Sequence, residues 1–150
     1  MSLILFVCRG NTCRSPMAEV AARAAATRSG ADGITFASAG IEPAVIGGPA
    51  DPRAVACVGA AGLDLTKHKT RAADTELLSR ADRIFALDRG ILDHLLAAAP
   101  VGLHPRISLL MALAPELSVV DVGDPWAGGP ADYAAAYQLI DSAISNLTRG

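Results

Sequence analysis

Aromatic side chains make up only 4% of this 150-residue chain, with a single tryptophan, and the formal net charge is a mere -2. A surface so nearly neutral and so poor in stacking groups offers no electrostatic case for nucleic acid. Long apolar runs are also missing. The opening stretch Leu3-Ile4-Leu5-Phe6-Val7 is broken by Cys8-Arg9-Gly10 and has no basic leader, so it reads as a buried strand and not as a signal or a membrane insertion. Cysteine is scarce and odd in number, at three. That excludes a disulfide scaffold and favours a cytoplasmic location, where a thiol stays free to react. Cys8 and Cys13 are spaced outside most zinc knuckles, and no second pair follows, so no metal is expected. The Gly-Lys-Ser/Thr of a nucleotide phosphate loop is absent as well.

What is present is 51% hydrophobic residues, mostly small and aliphatic, enough for one domain over residues 1–150 to bury a continuous core. The pattern predicts strands at 3–7, 34–37, 83–87 and 107–109. Between and after them it predicts helices from Ser15 to Gly30, from Pro52 to Gly62, over 91–99 and over 131–147. Ser15 and Asp51 serve as the expected caps, with Pro16 and Pro52 in first turns and Gly30 and Gly62 as stops. This βαβαβαβα order predicts an α/β fold: an open four-stranded parallel sheet with helices on both faces and ligands beyond the carboxyl ends of the strands. Cys8 falls at that end of the first strand.

The segment Cys8-Arg9-Gly10-Asn11-Thr12-Cys13-Arg14-Ser15 therefore forms a loop between strand one and helix one. Successive amides turning into a helix make a nest for an oxyanion, and the helix N-terminus adds positive charge there. Gly10 allows close approach of the main chain, and Arg14 offers a planar fork of donors to two phosphate oxygens. The same surroundings favour a thiolate at Cys8, which makes it a nucleophile. A general acid must then protonate the leaving oxygen. Asp124, in the Gly/Pro-rich stretch Val122-Gly123-Asp124-Pro125-Trp126-Ala127-Gly128-Gly129, is the candidate.

Together with Pro16-Met17-Ala18-Glu19, this loop resembles the signature of the low-molecular-weight protein tyrosine phosphatases, and Asp124-Pro125 resembles that family's late acid loop. The resemblance spans nearly the whole chain. It implies hydrolysis of a phosphorylated protein through a Cys8 thiophosphate, with Arg14 and loop amides stabilising charge, Asp124 as acid and base, and no cofactor. It further implies that Ser38 and His68 support the loop by bonding Asn11 and that Cys13 is a redox partner for Cys8; Ser15, by its position just beyond Arg14, is expected to bond Cys8.

The walls of the pocket carry the substrate question. Trp126 favours stacking on phosphotyrosine, and the Arg9 cation at the mouth is expected to repel a guanidinium. Thr12 resembles the family's protein-arginine phosphatases, which makes phosphoarginine the alternative substrate. Arg9, Gly10, Asn11, Thr12, Cys13, Ser15 and Trp126 are the expected substrate-binding set. Arsenate reduction through a cysteine relay is disfavoured because Cys57 is the only other cysteine and its helical spacing suits the core. A catalytically idle phosphate-binding module is the remaining alternative. His94 and His104 read as solvated or locally bonded, and Tyr133 and Tyr137 as packing residues.

Overall fold

A computed structural model describes residues 2–149. Strand β1 (Ser2–Cys8) pairs in parallel with β2 (Ile34–Gly40) on one side and β3 (Arg83–Ala86) on the other, and β4 (Ile107–Leu109) extends the sheet beyond β3. The resulting order β2-β1-β3-β4 is the open parallel sheet expected from the sequence. Alternation along β1 divides the core in two. Ile4, Phe6 and Cys8 point to one face, and Leu5 and Val7 to the other.

The first face is covered by α1 (Arg14–Ser29), α2 (Pro52–Gly59) and α5 (Pro130–Arg149), through Met17, Ala18, Ala54, Val58, Ile140 and Ile144 among others. Phe6 stacks between Phe36 and Phe85 on this side, with centroids 6.3 and 6.0 Å away. The second face is covered by α3 (Thr75–Arg80) and α4 (Arg89–Ala98), through Leu77, Leu78, Ile91 and Leu95. Small alanines on α1 let it lie close to both the sheet and α5. Among the described residues, no helix is long and apolar enough to cross a membrane.

Three expectations need correction. Helix α1 begins at Arg14, with Cys13 as its N-cap and no side chain bonded to its free amides, so Ser15 sits inside the first turn and caps nothing. Its hydroxyl is drawn to Cys8 and Asn11 instead. Helix α2 ends at Gly59, ahead of Gly62, which supplies a left-handed residue in the following turn. Helix α3 had no counterpart in the sequence reading because six residues are too few to display a period; its one signal is the cap, where Asp74 Oδ1 accepts from Leu77 N at 2.9 Å. Cys57 is also less deeply placed than its spacing implied, lying half-buried at the edge of α2, while Ala61 is exposed.

Strand β2 ends at Gly40, and no other residue fits there. A β-carbon on it would stand 2.7 Å from the carbonyl oxygen of Arg9 and 3.0 Å from the amide nitrogen of Asn11. Both are main-chain atoms that cannot swing aside. Gly40→Ala is therefore expected to cost about 1–3 kcal/mol of stability, measured by urea denaturation, whereas Gly59→Ala, which meets open space, is expected to be neutral or stabilising.

Candidate active site

The chain leaves β1 at Cys8 and enters α1 at Arg14, and the loop between them turns its carbonyls outward. Cys8 O accepts from Ile41 N at 3.0 Å, Arg9 O from Glu42 N at 2.8 Å, Thr12 O from Asp51 N at 2.9 Å and Cys13 O from Met17 N at 3.1 Å. The amides of residues 9–13 donate to no backbone carbonyl among the described residues. With its acceptors committed outside, the loop presents its donors to the interior of the turn, the arrangement an oxyanion requires.

Asn11 holds this path. Its backbone is left-handed, with φ of 59°, and its side chain is fully buried. Nδ2 donates to Ser15 Oγ and to Ser38 Oγ, each at 3.0 Å, and Oδ1 accepts from Arg71 N at 2.9 Å. Its own carbonyl lies 2.8 Å from His68 Nε2. A carbonyl can only accept, so Nε2 of His68 carries the proton. Ser38 in turn donates to Glu19 Oε1 at 2.7 Å. The expected supports, Ser38 and His68, thus meet at Asn11; Glu19 and Arg71 are additions that spacing alone did not reveal.

Cys8 Sγ lies 2.9 Å from Ser15 Oγ. Ser15 accepts from Asn11, and its one proton lies within reach of both the sulfur and the Ala39 carbonyl, 3.4 Å away. Arg14 is 3% exposed, and Nη1 donates to Asp88 Oδ2 at 2.6 Å and to the Val122 carbonyl at 2.8 Å. Asp88 was not singled out in the sequence. It caps α4, with Oδ1 accepting from Ile91 N at 2.8 Å, and the same carboxylate orients the arginine with its other oxygen. Asp124 Oδ2 stands 3.7 Å from Arg14 Nη2, while Oδ1 accepts from Trp126 N at 3.1 Å.

A cleft of about 380 Å³ opens above the loop, lined by Cys8, Arg9, Gly10, Thr12, Cys13 and Arg14, and by Glu42, Ala44, Asp124 and Trp126. Thiol, cation and carboxylate therefore share one cavity. Trp126 forms its rim and is 66% exposed. The side chains of Asn11 and Ser15, expected among the substrate-binding residues, do not line it; both are buried behind the loop. The expected repulsion from Arg9 is also tempered, because Glu42 pairs with it at 3.6 Å across the mouth. Cys13 opens on the cleft but is bonded from behind by Tyr133, whose hydroxyl lies 3.2 Å from Sγ. Burial pushes the Cys13 thiol up, so it is held protonated at neutral pH. Tyr133 is pushed up as well, mainly by burial and also by its bond to Cys13. Its ring carries the Arg53 guanidinium 4.9 Å from its centroid, and Arg53 holds the Asp51 carboxylate below its usual range.

Residues 3–149 match the family model described as low molecular weight phosphotyrosine protein phosphatase. The chain is 34% identical over 148 residues to low molecular weight protein-tyrosine phosphatase A of Mycobacterium tuberculosis, covering 96% of this chain and 88% of that one. Among solved structures it is similar to a protein tyrosine phosphatase from Entamoeba histolytica with Hepes in the active site, at TM-score 0.93 and 26% identity over 98% of this chain and 94% of that one. It is also similar to the YwlE arginine phosphatase from Geobacillus stearothermophilus, at TM-score 0.86 and 25% identity over 99% of this chain and 92% of that one.

The Arg14 to Asp88 contact is a charge-assisted bond on a buried cation. Asp88→Asn keeps the helix cap with its one oxygen but turns an NH2 donor toward Arg14 Nη1, so the guanidinium loses its orienting acceptor and inorganic phosphate is expected to bind about tenfold more weakly in calorimetric titration. An affinity equal to wild type would show that Arg14 needs no such partner.

Proposed function

This chain belongs to the low molecular weight phosphotyrosine protein phosphatase family and is an enzyme of that class; from that premise we propose that it hydrolyses phosphotyrosine in proteins through a Cys8 thiophosphate. One observation carries the reading: Cys8, Arg14 and Asp124 line the same cleft, with Trp126 at its rim. The loop amides and the Arg14 fork take the three non-bridging oxygens of the phosphoryl group, placing phosphorus above the sulfur. Cys8 attacks as the bond to the phenolic oxygen breaks, and Asp124 gives that oxygen its proton. The Ser15 hydroxyl, turning from the Ala39 carbonyl to the sulfur, stabilises the negative charge that returns to it. In the second half, Asp124 takes a proton from water, the oxygen attacks phosphorus, and Cys8 leaves as thiolate. All four side chains come from this chain, and the two steps balance without a metal or a redox group.

Trp126 supports an aromatic substrate, since its exposed ring at the rim can stack on a phenyl group. Phosphoarginine is the second reading, and two cleft residues favour it: Thr12 offers a hydroxyl, and Glu42 offers a carboxylate that offsets Arg9. A reducing cytoplasm is the proposed setting, since the mechanism needs Cys8 as a free thiolate.

Matched phosphotyrosine and phosphoarginine peptides decide between the readings when turned over by wild type, Cys8→Ser, Asp124→Asn and Thr12→Ile. Expected are faster turnover of phosphotyrosine, none measurable by Cys8→Ser, and a loss of about 10²- to 10⁴-fold in kcat for Asp124→Asn. A preference for phosphoarginine that Thr12→Ile reverses would overturn the leading assignment.

Cys13 is proposed as the partner that captures oxidised Cys8. A sulfenic acid on Cys8 condenses with the Cys13 thiol to a disulfide, releasing water, and a thiol reductant restores both. After a peroxide pulse and dithiothreitol, Cys13→Ser is expected to regain clearly less activity than wild type; equal recovery would refute the protective role.

A further inference from the structure

A second cavity of about 320 Å³ shares no lining residue with the cleft. Its walls include Ser38, His68 and Arg71, and each of these bonds Asn11 directly: Ser38 and His68 through side chains, Arg71 through its amide. The cavity is thus backed by the residues that hold the phosphate loop in its path.

Its charge is unbalanced toward the cation. Arg23, Lys67, Lys69 and Arg71 face only two carboxylates, Glu19 and Asp64. Glu19 is committed on both oxygens, one accepting from Ser38 and the other paired with Arg23 at 2.5 Å. Asp64 is engaged by its neighbour Thr66. Lys67, Lys69 and Arg71 make no ion pair among the described residues. Val20, Phe36 and Leu65 add an apolar wall beside these cations. A cavity of this size, with convergent unpaired cations and an apolar side, suits a small organic molecule bearing more than one phosphate charge.

We propose that this cavity binds a small organic phosphate and that its occupancy tunes the phosphatase through His68 and Arg71. The regulatory half rests on the phosphatase reading; the binding half does not. His68 donates from Nε2 to Asn11 O, and its Nδ1 has no partner among the described residues. A phosphate hydroxyl donating to the free Nδ1 withdraws electron density from the ring and strengthens that donation. An anion gripping the Arg71 guanidinium likewise steadies the segment whose amide holds Asn11 Oδ1. Both effects favour the loop conformation that cradles the transition state, and a ligand shifts the loop only through such a difference in affinity.

Pyrophosphate is the probe, titrated by calorimetry into the full chain with the cleft saturated by benzylphosphonate, so that only the second cavity can respond. Binding is expected under these conditions, weakened about tenfold or more in Lys67→Ala/Lys69→Ala, with benzylphosphonate affinity unchanged in that variant. In turnover assays of wild type, pyrophosphate is expected to raise kcat severalfold at constant KM, and to lose this effect in the double variant. No binding to the saturated protein, or equal binding by the double variant, overturns the site. Binding that the variant abolishes, with turnover unmoved by pyrophosphate, overturns the coupling alone. If the chain shows no turnover on any phosphopeptide, the titration still reads the site, and the failure lies with the proposed reaction.

Discussion

The active-site loop depends on a single buried amide. Asn11 occupies a backbone region that a side chain adopts at a cost, and four hydrogen bonds hold it there, two donated to Ser15 and Ser38 and two accepted from Arg71 and His68. If Asn11 relaxed to an ordinary conformation, the peptide units on either side would rotate, and the amides now turned inward would no longer converge. Ser15 and Ser38 come from well-packed elements, the first turn of α1 and the end of β2, while His68 and Arg71 come from the largely exposed segment that follows α2. The precision of the loop is borrowed from the core beneath it.

The sheet decides where that loop lies. In the order β2-β1-β3-β4, β1 is central, and the chain departs from it toward β2 on one side, while β3 occupies the other. Helix α1, in the crossover from β1 to β2, and α4, in the crossover from β3 to β4, cover opposite faces, leaving a crevice beyond the carboxyl end of β1, the usual place for a ligand in such sheets. Arg14 enters from α1, Asp88 from the cap of α4, and Val122 and Asp124 from the approach to α5. An arginine buried to this degree is tolerable only because a carboxylate and a carbonyl meet its donors. The network that makes Arg14 affordable also aims it.

Much of this is legible in the chain because the informative signals are local. The eight residues from Cys8 to Ser15 carry thiol, glycine and arginine at one strand-to-helix junction, and Asp124 beside Pro125 marks the acid loop. The apolar run of β1, the proline and glycine that bound α1 and the period of α5 are plain enough to yield the sheet. What escaped depends on distance in sequence. Asp88 looks like any helix cap until its second oxygen is found on Arg14, and Glu42 looks like a solvated loop residue until it meets Arg9. Ser15 misled in the opposite sense: serine before proline suggests a cap, but burial beside Cys8 and Asn11 gave its hydroxyl better partners. Helix α3 was too short for periodicity to register.

The outward-facing carbonyls of the loop divide its residues by duty. Main-chain bonds to Ile41, Glu42 and Asp51, together with the tight fit at Gly40, set the backbone path. The side chains of Arg9 and Thr12 face the cleft and reach only neighbouring side chains, Arg9 pairing with Glu42 and Thr12 lying 3.6 Å from Cys13 Sγ. Selection can therefore exchange them, and Trp126 with them, without disturbing the nucleophile or its cradle. The wall of the cleft is thus built separately from the main-chain path of the loop beneath it.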